Sequence, residues 1–208
     1  MQSLEPAFWT VIEGYEARAK REEALFESLS AEEFAARRDE FLLPVGRAAG
    51  TLMNLLIKEM RAQRILEVGS SYGYSTSWLA QAGHAVGGRV TSLELRAAKA
   101  DYARGQLARA GFAECVEFRI GDALASLRQL PGPFDFVLLD LWKDLYVPVF
   151  ELLYPKLAPG ALIVADNMLY PESAQEHARA YRARVHAAAE MSSVLLAVGN
   201  GLELSRYR

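Results

Sequence analysis

The chain has 208 residues, of which 51% are hydrophobic, and its 23 basic and 26 acidic side chains give a formal net charge of -3. This length predicts one domain that can bury a core without a disulfide or a structural metal. The charge excludes a nucleic-acid binder that ignores sequence, because such proteins carry a basic surplus, and the hydrophobic content excludes a disordered chain.

The opening residues and the cysteine content predict a cytoplasmic protein. Glu5 and Pro6 interrupt the start of the chain, so no secretory or transit signal is expected. Cys115, the single cysteine, cannot close an internal disulfide, which favours a reducing compartment. Residues 68–88 carry no Asp, Glu, Lys or Arg, but they are rich in Ser, Gly and Tyr, so no membrane span is predicted.

Helical periodicity dominates the first part of the chain. Apolar residues recur at helical spacing over about the first 40 residues. Ser30 and Glu33 have the spacing of a capping box, which would start a second short helix at Ala31. A third helix is predicted over residues 47–60, with an apolar face formed by Leu52, Leu55, Leu56 and Met60.

After residue 64, short apolar runs alternate with helical stretches. Strands are predicted over residues 65–68, 90–94, 116–120, 134–140 and 161–166, an alternation typical of βαβ units in a parallel sheet. Two further strands, over residues 194–198 and 202–207, flank Gly199-Asn200-Gly201 and predict an antiparallel hairpin. The predicted fold is therefore α/β, a doubly wound, mostly parallel sheet of seven strands, with N-terminal helices. Ligands of such sheets bind beyond the carboxyl ends of the strands.

The first strand ends in a glycine-bearing loop, Glu67-Val68-Gly69-Ser70-Ser71-Tyr72-Gly73-Tyr74-Ser75. Glycine lets the backbone approach a ligand closely. The dinucleotide fingerprint requires a glycine where Ser71 stands, and Ser75 comes where no third glycine appears. A cofactor with a pyrophosphate is therefore disfavoured, whereas one without phosphate fits; a tight turn without a ligand would have the same pattern.

Acidic residues follow the next two strands. Glu94 could accept hydrogen bonds from both hydroxyls of a ribose, or it could be a solvated strand end or a helix cap. Asp122, in Gly121-Asp122-Ala123, could meet an adenine edge, although an N-cap of the following helix is the simpler interpretation. The loop and Glu94 together favour a ligand of the adenosine type.

The most informative polar residues follow the fourth and fifth strands. Asp140 ends one strand, and Asp166 and Asn167 end the other. If the strands are neighbours, two carboxylates and a carboxamide converge into an all-oxygen site suited to Mg²⁺ or Ca²⁺. Asp and Asn are also common in turns, but the conjunction with Lys143, three residues after Asp140, favours the metal site.

Together these motifs resemble the cation-dependent, S-adenosylmethionine-dependent O-methyltransferases, which include catechol and caffeoyl-CoA O-methyltransferases. The resemblance extends from about Leu43 to the C-terminus. It is carried by Leu66-Glu67-Val68-Gly69 with Gly73-Tyr74-Ser75, by Leu139-Asp140-Leu141-Trp142-Lys143-Asp144-Leu145-Tyr146, by Ala165-Asp166-Asn167 and by Gly201-Leu202. It implies a Rossmann-like class I methyltransferase domain over residues 43–208, preceded by an N-terminal helical extension over residues 1–42.

The resemblance also implies a role for each matched residue. Asp140, Asp166 and Asn167 would bind Mg²⁺, or Ca²⁺ or Mn²⁺, and Lys143 would be the catalytic lysine. Val45 resembles the residue that closes over the methionine end of the cofactor, and Trp142 resembles an aromatic that flanks cofactor and substrate. The candidate cofactor-binding set is Val45, Glu67, Gly69, Ser71, Gly73, Ser75, Glu94, Asp122, Ala123, Asp140 and Trp142.

Two departures from the animal catechol enzymes affect the predicted substrate. Leu141 stands where those enzymes have a histidine that touches the cofactor, and no glutamate is found near Val194, where they place one against the catechol. A catechol-like aromatic with adjacent hydroxyls is therefore expected, rather than catechol itself. The metal would orient both oxygens, and Lys143 would act as general base after losing its own proton.

Three alternatives are kept. The same chemistry could act on a hydroxylated tRNA uridine, with Arg179, Arg182 and Arg184 as a local basic patch, although the net charge disfavours it. A nicotinamide oxidoreductase is disfavoured by the missing glycines. A non-catalytic cofactor-binding module is disfavoured by the intact lysine and metal set. By resemblance alone, a homodimer is expected.

Overall fold

The computed structural model describes residues 6–26 and 28–208. Glu5, part of the basis for excluding a signal peptide, lies outside them. The described helices are α1 (Pro6–Phe26), α2 (Ala31–Arg37), α3 (Arg47–Met60), α4 (Tyr74–Val86), α5 (Ala97–Ala110), α6 (Ala123–Gln129), α7 (Tyr146–Leu153) and α8 (Gln175–His186). The strands are β1 (Arg64–Val68), β2 (Arg89–Glu94), β3 (Val116–Ile120), β4 (Phe134–Leu139), β5 (Leu157–Ala165), β6 (Met191–Leu196) and β7 (Leu202–Tyr207).

The strands form one sheet in the order β3-β2-β1-β4-β5-β7-β6. The first five strands of that order are parallel, and β7 runs antiparallel between β5 and β6. The predicted fold class and C-terminal hairpin are therefore confirmed. The strand order reverses between β1 and β4, which places a crevice beyond the carboxyl ends of these two strands.

Helices cover both faces of the sheet and divide the apolar core in two. Ile12 of α1, Met53 of α3 and Trp78 of α4 are buried in one cluster. Phe150 of α7 and Tyr181 of α8 are buried in the other. In the described ranges, no helix has the length and apolarity that crossing a membrane requires.

Helix α1 belongs to the first of these clusters, against α4 and α5. The predicted capping box of α2 is confirmed, since Ser30 N donates to Glu33 Oε2 at 2.8 Å and Glu33 N donates to Ser30 Oγ at 3.2 Å. A domain boundary at residue 42 stays a prediction.

The predicted apolar face of α3 was partly right, since Leu52, Leu56 and Met60 are partly buried against the core. Ala49, Met53 and Ile57 are fully buried, whereas Leu55 is 52% exposed. The reason is close packing against α4, because a Cβ on Gly50 would lie 2.6 Å from Trp78 Nε1. Small residues let the two helices approach, and this approach selects the stripe of α3 that faces inward.

The fifth and sixth strands begin earlier than predicted, at Leu157 and Met191. Pro159 and Gly160 interrupt the apolar pattern of β5, and such residues weaken a strand prediction. Tertiary pairing with β4 and β7 overrides that local signal.

Candidate active site

The crevice at the reversal of strand order begins at Gly69, directly after β1. Gly69 has φ +97°, and a Cβ there would lie 2.3 Å from the backbone oxygen of Asp140. The ends of β1 and β4 can approach this closely only because the residue is glycine. The glycine-bearing loop and Asp140 therefore belong to one site.

Glu94 lies at the end of β2, beside this loop. Its Oε2 accepts from Ser71 N at 2.8 Å, and its Oε1 accepts from Arg96 N at 2.9 Å. Lys99 Nζ approaches Ser71 Oγ at 3.4 Å, and burial lowers the pKa of this lysine. The carboxylate is thus oriented by backbone donors at the loop edge, where it could also receive the hydroxyls of a ribose.

Glu67 is fully buried beneath the loop. Its carboxylate accepts hydrogen bonds from Ser75 Oγ at 2.7 Å, Thr76 Oγ1 at 2.6 Å and Ser92 Oγ at 2.6 Å. Burial raises the pKa of Glu67 to about 7, against the effect of these three hydroxyls. Glu67 therefore ties the start of α4 to β1 and β2, and a direct contact of Glu67 or Ser75 with a cofactor stays a prediction.

The other candidate cofactor residues lie at or just before the N-termini of three helices. Gly73 has φ +93°, and a Cβ there would lie 2.5 Å from Ala103 Cβ, so this glycine lets α4 and α5 meet. Asp122 caps α6, since its Oδ1 accepts from Ala125 N at 2.8 Å, which confirms the N-cap interpretation. Ala123 is the first residue of that helix, and Val45 is buried just before α3.

Asp140 and Asp166 are brought together by the pairing of β4 and β5. Leu139 is opposite Ala165 in the register, so the two aspartates are the next residues on adjacent parallel strands. Asp166 N donates to Leu139 O at 3.0 Å. Burial raises the pKa of both carboxyls, that of Asp166 to about 7, and the charge of Asp140 adds to the shift at Asp166. Two acids held this close favour a cation between them.

The residues present fit a divalent cation. Asp166 is 2% exposed, and its Oδ1 is buried without a hydrogen-bond partner among the described residues. Asn167 follows in a left-handed conformation with φ 59°, unusual for a residue other than glycine. Within residues 6–26 and 28–208 no group of three or more His, Cys, Asp and Glu could hold a metal, so the candidate set is two carboxylates and one carboxamide. Oxygen donors of this kind suit Mg²⁺, Ca²⁺ or Mn²⁺.

Lys143 lies beside the acidic pair. Its Nζ donates to Tyr146 Oη at 2.7 Å and to Leu141 O at 2.9 Å, and it approaches Asp140 Oδ1 at 3.5 Å. Tyr146 Oη also lies 2.9 Å from Leu139 O and 3.2 Å from Asp166 O. One buried hydroxyl therefore connects the lysine to both strand ends. No role was predicted for Tyr146, although its position one helical turn after Lys143 was the available signal.

Several exposed apolar side chains lie close in sequence to the candidate site residues. Trp142 is 41% exposed, and Leu169 and Tyr170, just after Asn167, are 47% and 64% exposed. Leu43, near Val45, is 49% exposed. Only Trp142 was singled out from the sequence, because the others lie in loops without a recognisable pattern.

The arginines considered for RNA binding are partly engaged within the protein. Arg182 Nε donates to the buried Glu203 at 2.8 Å, and Arg184 Nε donates to Glu151 at 2.5 Å. The cluster on α8 therefore offers less free positive charge than its sequence indicated.

Comparisons with known proteins agree with this geometry. A family model described as O-methyltransferase matches residues 16–207. A catechol O-methyltransferase of Mycobacterium tuberculosis is 39% identical over 128 residues, which cover 61% of this chain and 58% of that protein. The alignment thus spans less than two thirds of the relative's length. Caffeoyl-CoA O-methyltransferase 1 of Eucalyptus globulus is 27% identical over 194 residues, covering 84% of this chain and 78% of that protein.

The fold also matches that of a solved structure. The O-methyltransferase from Bacillus cereus, crystallised in complex with SAH, aligns with a TM-score of 0.76 and 27% identity. The alignment covers 100% of this chain and 93% of that one.

Proposed function

Because the chain belongs to the O-methyltransferase family, whose model matches residues 16–207, we propose that it transfers a methyl group from S-adenosylmethionine to a hydroxyl of a small catechol-like aromatic. The transfer would depend on a divalent cation, Mg²⁺ or alternatively Ca²⁺ or Mn²⁺. Family membership confirms the resemblance found in the sequence motifs. The matched catechol enzyme and the SAH-bound neighbour support the acceptor class and the cofactor.

One observation carries the metal-dependent part of the proposal. The Asp166 Oδ1 atom is buried without a partner among the described residues, and burial together with the charge of the neighbouring Asp140 raises the pKa of its carboxyl. A buried acid in this state is costly unless a cation balances it. Asp140, Asp166 and Asn167 would hold that cation, which would polarise and orient two adjacent oxygens of an acceptor.

The cofactor would bind across the loop after β1. Glu94 would accept the ribose hydroxyls, Gly69 and Ser71 would pass beneath the cofactor, and Val45 would close over its methionine end. Asp122 and Ala123 would border the adenine. This arrangement would direct the methyl group toward the acidic pair, so that donor and acceptor would be aligned before reaction.

Lys143 would receive the proton of the acceptor hydroxyl at Nζ, once it has lost its own. Bound S-adenosylmethionine would supply the methyl group to the acceptor oxygen and would leave as S-adenosylhomocysteine, with the electron pair of the broken carbon–sulfur bond on sulfur. General-base catalysis of this kind contributes roughly 10²- to 10⁴-fold. Tyr146 and Leu141 O hold Nζ near the acids, and the exposed Trp142 and Tyr170 would line the aromatic acceptor.

The proposal is tested by mass spectrometry of products formed from S-adenosylmethionine. Catechol and caffeic acid should each gain one methyl group, whereas phenol, which has one hydroxyl and cannot bind the cation through two oxygens, should react at least about 100-fold more slowly. Asp140→Ala should abolish both products. Equal rates with phenol and catechol would contradict the two-oxygen mode, and methylation of tRNA alone would contradict the small acceptor.

A further inference from the structure

The turn between β6 and β7 contacts two parts of the site that are far apart in sequence. Gly201 N donates to Val198 O at 3.0 Å and closes the turn. Gly199, Asn200 and Gly201 form this connection, the hairpin turn. None of them belongs to the candidate cofactor or metal set.

One side of the hairpin turn holds the segment that follows Asn167. Met168 N donates to Gly201 O at 3.0 Å, while Leu169 N and Tyr170 N donate to Asn200 O at 2.9 Å and 3.1 Å. Three consecutive amides are thus anchored on two carbonyls. Asn167 has a left-handed backbone, which asparagine adopts more readily than most residues, and the anchored segment directly after it fixes where this residue lies.

Gly201 permits this contact. It has φ +90°, and a Cβ there would lie 2.6 Å from Leu169 Cγ and 2.7 Å from Leu169 N. The second of these atoms is backbone, so a side chain at residue 201 would displace the segment rather than a flexible group. The shift would reach Asn167 two residues earlier.

The other side of the hairpin turn faces the start of α3. Gly199 has φ +57°, and a Cβ there would lie 3.0 Å from Val45 O and 3.9 Å from Ala49 Cβ. The distance of 3.0 Å to Val45 O is shorter than an ordinary contact, but a small shift of the neighbouring backbone would relieve it. A side chain at residue 199 would therefore shift Val45 slightly and leave the segment after Asn167 in place.

We propose that the hairpin turn is a positioning element that fixes the Val45 segment (Val45 and Gly46, directly before α3) relative to Asn167. Gly201 acts on the metal side and Gly199 on the cofactor side. The inference rests on the proposed function, because it assigns a metal to Asn167 and a cofactor to Val45.

Two alanine variants separate the two sides. Gly201→Ala should weaken binding of Mn²⁺, used as a paramagnetic probe, by at least about tenfold, and should change the calorimetric affinity for S-adenosylhomocysteine less than about twofold. Gly199→Ala should weaken the affinity for S-adenosylhomocysteine by about three- to tenfold and should change the affinity for Mn²⁺ less than about twofold. Both ligands are measured on the full chain without turnover.

Gly111→Ala is the matched control. Gly111 has φ +82°, and among the described residues, its chain neighbours and own helix apart, no atom lies within 4 Å of the position a Cβ would take, so the variant introduces left-handed backbone strain without a clash. Both affinities should stay within about twofold of the wild type. Unchanged Mn²⁺ affinity in a folded Gly201→Ala protein would overturn the inference while leaving the proposed function standing. Absence of Mn²⁺ binding by the wild type would overturn the proposed metal site and the inference with it.

If Gly201→Ala does not fold, amide hydrogen exchange of the wild type tests the positioning role of the hairpin turn. Mn²⁺ should slow exchange of the Leu169 and Gly201 amides together, because a support and the segment it holds are stabilised jointly. Slower exchange at Leu169 with no change at Gly201 would overturn the inference.

Discussion

Tyr146 supports the proposed general base through one buried hydroxyl. That hydroxyl is 2.7 Å from Lys143 Nζ and also contacts the carbonyls of Leu139 and Asp166. Tyr146→Phe leaves the lysine without this acceptor, and we expect kcat to fall about tenfold with little change in KM for S-adenosylmethionine. The free energy of unfolding should fall by about 1–3 kcal/mol. Steady-state kinetics and urea unfolding measure both.

Tyr181→Phe is the control for that variant. The Tyr181 ring packs edge-on against Tyr146, but among the described residues its buried hydroxyl has only a weak interaction, with Ser205. The change should therefore leave kcat within about twofold and stability within about 0.5 kcal/mol. Full kcat in Tyr146→Phe would show that Lys143 is held by other groups.

The raised pKa of the buried Glu67 leads us to expect that the stability of the protein depends on pH. Its pKa rises from 4.5 to about 7 in the folded protein, so the native state binds the proton more tightly than the unfolded chain. Its contribution to stability is complete below pH 4.5 and is lost as pH rises toward 7. Between pH 4.5 and pH 7 the ionisation of Glu67 by itself should lower the free energy of unfolding by roughly 3 kcal/mol.

Glu67→Gln removes the titrating group but keeps its shape. Urea unfolding at several pH values should show that the variant lacks this part of the decline, while the exposed Glu23→Gln retains it. Parallel curves for wild type and Glu67→Gln would contradict the assignment of a raised pKa to Glu67.

Helix α1 acts on the cofactor loop as a whole element. The Arg18 guanidinium lies 3.9 Å from the centre of the Tyr72 ring, and Tyr15 Oη donates to Tyr72 O at 2.6 Å. Arg18 also pairs with Glu22, whose Oε2 accepts from Leu42 N at 2.5 Å, close to the Val45 segment. The helix thus holds both edges of the proposed cofactor site.

Arg18→Ala should loosen both edges at once. We expect the calorimetric dissociation constant for S-adenosylhomocysteine to rise about three- to tenfold, because a cation–π contact and a half-buried ion pair are lost. Arg21→Ala, at an exposed position of the same helix, should leave it unchanged. Equal effects of the two variants would mean that α1 contributes charge rather than position.

The elements also show what the sequence can predict. The strands, the hairpin and the α2 capping box follow from local periodicity and turn residues, and the structure contains all of them. The inward face of α3 depends on the approach of Gly50 to Trp78, and the extension of β5 through Pro159 and Gly160 depends on its neighbours. Such contacts join residues far apart in sequence, so local patterns do not encode them.

At the scale of the whole molecule, the topology explains why the acidic pair could be anticipated. Parallel strands end at one edge of a sheet, and the order β1-β4-β5 brings the residues after each strand together. The contacts that hold this pair in place were not predicted. They come from Tyr146, which contacts Asp166 O, and from the hairpin turn, which binds the amides after Asn167, and both lie in other parts of the chain. Cofactor and metal contacts of the individual residues, and the homodimer, stay predictions.

The central claim is that Asp140, Asp166 and Asn167 hold a divalent cation that methyl transfer requires. The most direct test is the rate of catechol methylation by chelator-treated protein before and after Mg²⁺ is returned, with Asp166→Asn alongside. We predict a loss of at least about 100-fold on chelation, full recovery with Mg²⁺, and no recovery in Asp166→Asn although it still binds S-adenosylhomocysteine. Undiminished methylation by the chelated wild type would contradict the claim.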